Sequence, residues 1–152
     1  MFFFIGLCAG SLLNVCIDRI PINQSLLKAP FCPYCGARIK AADRIPVFSY
    51  IKLRGVCRNC GSHQSVRYPL VELLTGSIWL MTAIRYGFTF ETIALVYLFS
   101  ILIAAALIDV EHMIIPNGLV LSALAGGMAV FLCHILYRPF GLYGSALWYA
   151  PF

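Results

Sequence analysis

Apolar and polar positions fall into long blocks along this chain. Met1–Ile17 is a run of seventeen residues without a charge. Asp18–Tyr68 is polar, rich in Pro, Gly and Cys, and carries no sustained helical period. Pro69 opens a second apolar segment that runs to about Ile84. Proline suits the first turn of a helix, where its missing N–H has no intrahelical partner to lose. Arg85–Glu91 reads as a short turn containing Gly87, and Thr92–Ile108 is a third uncharged run of seventeen. Asn117–Tyr137 is a fourth apolar run, interrupted only by His134 and broken by Arg138-Pro139. Phe140–Phe152 is apolar again but too short to cross a bilayer, as a helix cut off midway would be. A span takes about 20 apolar residues, so the pattern predicts four membrane helices and one polar insert. The first run lacks the basic start and small-residue cleavage site of a signal peptide; it is expected to be retained, short of a few residues at its start. No internal repeat or low-complexity tract is visible.

Composition agrees. Hydrophobic residues make up 61% of the 152 positions and charged ones 11%, against roughly 45–50% and about 25% in soluble domains. That excludes a soluble enzyme and a disordered tail. The net charge of +5 is unevenly placed, with nine of the eleven basic residues between Arg19 and Arg67. Under the positive-inside rule the insert is cytoplasmic, Met1 and the Arg85–Glu91 turn lie outside, and Asp109–Asn117 returns to the cytoplasmic face. The expected fold is an all-α polytopic membrane protein with about four transmembrane helices and a cytoplasmic zinc-ribbon-like insert. Residues 1–68 would form an N-terminal helix with its insert, and 69–152 a transmembrane domain.

The insert holds Cys32-Pro33-Tyr34-Cys35 and Cys57-Arg58-Asn59-Cys60. A two-residue gap lets both thiolates of a pair face one tetrahedral ion, and Gly36 and Gly61 follow where a tight turn is needed. Zinc on Cys32, Cys35, Cys57 and Cys60 is one reading; two disulfides are the other, against which a reducing compartment argues. The interleaved basic residues suit acidic lipid head groups. No stacking pattern of aromatics accompanies them, so nucleic acid is not an expected partner. Cys8, Cys16 and Cys133 sit in apolar runs and read as packing residues.

Gly6, Gly10 and Asn14 recur every four residues, giving a small and polar stripe. Such a stripe admits a close neighbouring helix and lets Asn14 hydrogen-bond across the contact; a direct part in handling a substrate or cofactor is the alternative. Glu72 falls in the first turn of the second helix, where the dipole favours an acid, with a functional role again the alternative. Asp109 closes an uncharged helix, and burial at that boundary would hold it partly protonated, as one half of an acid pair that shares a proton and activates water requires; a helix-end acid facing head-group water is the alternative.

Several fragments in order carry a resemblance. They are Gly10-Ser11-Leu12-Leu13-Asn14-Val15 with Arg19-Ile20-Pro21, the two Cys-x-x-Cys pairs, Arg67-Tyr68-Pro69-Leu70-Val71-Glu72, and Leu107-Ile108-Asp109-Val110-Glu111-His112-Met113-Ile114-Ile115-Pro116-Asn117. Together they resemble the type IV prepilin peptidases of the bacterial inner membrane, from about residue 5 to about residue 137. The resemblance implies an aspartic endopeptidase that removes the basic leader of prepilins or pseudopilins. It also implies an N-methyltransferase that modifies the new N-terminus with S-adenosylmethionine. The family's first catalytic Asp carries over onto Asp109 and its cysteine tetrad onto Cys32, Cys35, Cys57 and Cys60. Gly10, Asn14 and Glu72 match the portion associated with methyl transfer. The family's second catalytic Asp belongs to a Gly-x-Gly-Asp motif further on; no Asp follows Asp109 in this sequence, so the peptidase half is expected to be incomplete here. The alternative is a zinc-stabilised membrane scaffold that binds prepilins without cutting them. Oligomeric state is not legible.

Overall fold

The computed structural model describes residues 1–22, 24–26, 31–32, 34–39 and 46–137. The break expected at Arg138-Pro139 and the segment Phe140–Phe152 lie outside them. Five helices carry the described chain: α1 (Phe2–Arg19), α2 (Phe48–Lys52), α3 (Arg67–Tyr86), α4 (Phe90–His112) and α5 (Asn117–Tyr137). The four apolar blocks are the four long helices, and their ends obey local chemistry. α3 begins two residues before Pro69, which lies in its first turn, where backbone N–H groups have no intrahelical partner. It stops at Gly87, whose φ is +69°. Thr89 caps α4 by accepting the Thr92 N–H at 3.3 Å, and the Thr92 hydroxyl donates back to the Gly87 carbonyl at 2.7 Å. Met113, in the left-handed region, ends α4, and Pro116 follows, as is common after a helix stop. α2 was not legible in the pattern, because five residues are too few to display a period.

α1 and α3 make the closest pairing. A Cβ on Gly6 would sit 2.8 Å from the Gly76 Cα, and one on Gly10 would sit 2.7 Å from the Glu72 Cα. These contacts are backbone against backbone, so glycine is required at both positions. The Asn14 amide donates to the Tyr68 carbonyl at 3.0 Å across the same seam. The small-residue stripe thus works as a helix-packing surface. A core of Ile17, Val71, Ile103, Ala104 and Ile108 joins α1, α3 and α4. The Trp79 indole N–H donates to the Ser100 hydroxyl at 3.1 Å between α3 and α4. α5 lies against α4, where the Tyr97 hydroxyl donates to the Ser122 carbonyl at 2.8 Å.

Large apolar side chains face outward on every long helix, among them Phe4, Leu12, Met81, Ile84, Leu102, Leu124 and Phe131. An outer surface of that kind suits lipid rather than water. Among the described residues α1 and α4 are long and apolar enough to cross a membrane; that measure does not extend to α3 and α5.

Candidate functional site

The two cysteine pairs fold alike. In the first, the Cys32 N–H donates to the Ala37 carbonyl and the Gly36 N–H to the Cys32 carbonyl, both at 2.9 Å. In the second, the Cys57 N–H donates to the Ser62 carbonyl at 2.8 Å and the Gly61 N–H to the Cys57 carbonyl at 2.9 Å. An antiparallel bridge closes each, Phe31 with Arg38 and Val56 with His63. Gly36 and Gly61 take φ of +69° and +68°, which a side chain would strain. The described residues of 31–38 therefore repeat the local structure of 56–63, and the shared Cys-x-x-Cys-Gly is the mark of that repeat in the sequence.

Both turns aim their sulfurs at one point. The four Sγ atoms lie within 4.8 Å of one another, and Cys32 Sγ is 3.9 Å from Cys60 Sγ. A tetrahedral ion with metal–sulfur bonds of about 2.3 Å needs sulfur–sulfur edges of about 3.8 Å. A disulfide needs about 2.05 Å, and every described cysteine is unpaired. The spacing of the cluster therefore fits a tetrahedral metal ion, which it could hold. Its surroundings favour thiolates unequally. Backbone N–H groups of Cys35 and Tyr34, with the Ser62 hydroxyl, draw Cys32 down to about 6. Ser62 also lowers Cys60, its hydroxyl 3.0 Å from that sulfur. Cys35 is drawn down by the Ala37 N–H, but burial and the neighbouring Cys60, Cys32 and Cys57 push it up to about 11. Ser62 was missed in the sequence, where nothing separates it from an ordinary turn residue.

Glu72 is buried in the α1–α3 seam, 8% exposed, and accepts the Val47 N–H at 2.7 Å. Val47 has a φ of 57°, an uncommon conformation for a β-branched residue, so the insert is pinned to α3 through a strained backbone. The three residues expected at a methyl-donor site are thus all in one seam, with defined packing partners. Gly10 is filled by α3 and Glu72 holds Val47; among the described residues Asn14 Oδ1 is a buried acceptor without a hydrogen-bond partner.

A second polar cluster ties three helices together. The Arg67 guanidinium pairs with Glu111 through one terminal nitrogen and with Asp18 through the other. The Tyr68 hydroxyl donates to the other Asp18 oxygen at 2.8 Å. This places the α1 end, the α3 start and the α4 end on one side of the bundle, next to the cysteine insert. Asp109 is on that side, two residues before Glu111, and is exposed at the protein surface. Among the described residues no side chain pairs with its carboxylate.

Residues 4–86 match the family model of the Bacterial Peptidase A24 N-terminal domain. The chain is 42% identical to "Prepilin leader peptidase/N-methyltransferase" of Myxococcus xanthus (strain DK1622), over 84% of this chain and 38% of the relative. It is 35% identical to the protein of that name from Stutzerimonas stutzeri, over 95% of this chain and 57% of the relative. The Bacillus subtilis (strain 168) protein of that name is 35% identical, over 78% and 48%. The chain thus spans about half the length of these curated relatives. No solved structure matches it.

Proposed function

The chain belongs to the Bacterial Peptidase A24 N-terminal domain family, and on that premise we propose that it serves a prepilin leader peptidase/N-methyltransferase. In this reading it removes the basic leader of prepilins or pseudopilins and methylates the N-terminus so exposed. What carries it is the likeness to relatives of that name over most of the chain. The geometry agrees at one point: the Arg67 cluster gathers the Asp109 end of α4 beside the basic, cysteine-bearing insert. We place that end at the cytoplasmic face of the bacterial inner membrane, with α1, α3, α4 and α5 as spans and residues 1–68 and 69–152 as the two functional parts. A leader that is basic and cytoplasmic would meet an acid there at the membrane–water boundary.

In this mechanism Asp109 is one of two acids sharing a proton; ionised, it draws a proton from water as that water attacks the scissile carbonyl. The resemblance puts the partner acid in a Gly-x-Gly-Asp motif beyond Asp109, and no Asp follows Asp109 in this sequence. Zinc is the ion assigned to Cys32, Cys35, Cys57 and Cys60, where four thiolates hold it in a closed structural site. Its binding replaces the core that so small an insert cannot build. S-adenosylmethionine supplies the methyl group. Gly10, Asn14 and Glu72 are the candidates for the donor's neighbourhood, and among the described residues Asn14 Oδ1 is a buried acceptor there without a hydrogen-bond partner.

The test uses a chain of the relatives' full length that contains this sequence, in membranes with a type IV prepilin, following loss of the leader by mass. Asp109→Asn should abolish cleavage while the protein stays inserted. Cleavage that survives the substitution would remove Asp109 from the mechanism.

A further inference from the structure

Among the described residues, helix α2 is held on two sides and bare on a third. At its start the Val47 N–H is bound by Glu72. On its inner side Tyr50 lies against Gly55, where a Cβ would come within 2.8 Å of the ring, and its hydroxyl donates to the Gln64 carbonyl at 3.4 Å. Phe48, Ile51 and Lys52, spaced i, i+3 and i+4, share the remaining face. Phe48 is 60% and Ile51 68% exposed, with Lys52 and Arg54 exposed beside them. In water, such a face would bury the tyrosine and leave the two more apolar side chains outside, against the hydrophobic effect.

Depth resolves this. Glu72 lies five residues into α3, about 7.5 Å along the axis at roughly 1.5 Å per residue. The bond to Val47 therefore holds the start of α2 against the flank of α3, not above its end. Interfacial helices bury an apolar face about 5–10 Å into the boundary between head groups and acyl chains, which matches this offset once the start of α3 is taken as the membrane boundary. Lysine stems can lie along apolar surface while their ammonium reaches the head groups.

We infer that α2 is an interfacial anchor. Phe48 and Ile51 enter the acyl-chain boundary, and Lys52 with Arg54 engages anionic phospholipid head groups. This rests on the reading that the long helices span a membrane. An acidic protein segment would satisfy the two cations but would leave the apolar pair, fixed at helix-flank depth, without a reason.

The experiment reconstitutes the chain, carrying Trp79→Phe and Trp148→Phe, into vesicles of phosphatidylcholine with or without phosphatidylglycerol. Single tryptophans are introduced as Phe48→Trp, Ile51→Trp or, as a control in mid-α4, Phe99→Trp. Lipids brominated near the head group should quench Phe48→Trp and Ile51→Trp most, and lipids brominated deep in the chain should quench Phe99→Trp most. Adding Lys52→Glu should reduce quenching of Phe48→Trp in phosphatidylglycerol vesicles to the phosphatidylcholine level. Quenching of both α2 positions by aqueous iodide and not by lipid bromine, with Phe99→Trp still quenched by lipid, would overturn the anchor alone. Failure of Phe99→Trp to sense lipid would overturn the membrane reading as well.

Discussion

Replacing Arg67 with Met keeps the length of the side chain and removes its charge, leaving Glu111 and Asp18 at the α3 start without their shared cation. The Arg67 side chain is 20% exposed, Asp18 37% and Glu111 33%. Fully exposed pairs contribute about 0–1 kcal/mol, whereas breaking a buried one costs about 3–5 kcal/mol. Two pairs at this intermediate exposure should together be worth about 2 kcal/mol. Asp18 keeps the Tyr68 hydroxyl, which limits the loss on its side. For a chain of this size the melting temperature should fall by about 4–8 °C. Thermal unfolding in detergent, followed by tryptophan fluorescence, would report it, since Trp79 sits between α3 and α4. A double-mutant cycle with Glu111→Gln isolates the pair and should return a coupling of about 1 kcal/mol or more. Arg67→Lys should recover only part of the loss, because an ammonium cannot present two separate terminal nitrogens to the two acids. An unchanged melt with a coupling near zero would refute the claim that this cluster fastens α4 to the other helices.

Cys57→Ser with Cys60→Ser should take bound zinc from about one equivalent per chain to none, measured by elemental analysis of the purified protein; unchanged zinc would sink the four-thiolate site. Metal affinity should rise with pH between about 6 and 11, because Cys35 holds its proton up to about 11 and must release it to bind. Below about 6 Cys32 also protonates, so the dependence steepens there. Competition against a chelator across that range should show about a tenfold gain per pH unit for each proton released, and a flat profile would exclude thiol ligation. Gly10→Val drives a side chain into backbone 2.7 Å away, an overpacking expected to cost about 1–3 kcal/mol. A melt equal to that of the parent chain would show that the α1–α3 seam is looser than this geometry.

Contiguous uncharged apolar runs made the four long helices legible, with Pro69 marking the start of α3 and Gly87 the turn after it, whereas the Thr89 cap and the exact start of α4 at Phe90 were not read. The cysteine spacing likewise exposed the tetrad, because two residues between thiols is a geometric requirement that survives in the sequence. The Gly6–Gly10–Asn14 stripe was readable as a packing surface for the same reason. Three features were not legible. α2 is too short for a period. The Val47–Glu72 bond joins residues 25 positions apart through a backbone N–H, which no side-chain pattern announces. The exposure of Asp109 within the protein was the third, because a run of uncharged residues gives its depth along the helix and not its direction around it, which turns it away from the core formed by Ile103, Ala104 and Ile108.

That core and the polar cluster divide the labour. The long helices pack through glycines and a small apolar core and leave most of their large side chains outward, a surface that lipid satisfies without specifying a unique arrangement. Helix register at the Asp109 end must then come from directional bonds, and this end is where they gather: Asn14 to Tyr68, Tyr68 to Asp18, Arg67 to Asp18 and Glu111, and Glu72 to Val47. All of these involve the first six residues of α3, which emerges from the second cysteine turn with only three residues between it and His63. A metal that fixes the turn at 56–63 therefore fixes where α3 begins, and through Arg67 where α4 ends. Loss of metal should accordingly loosen the Glu111 end as well as the insert, a coupling that the Cys57→Ser, Cys60→Ser variant and the Arg67→Met variant would share as non-additive melts.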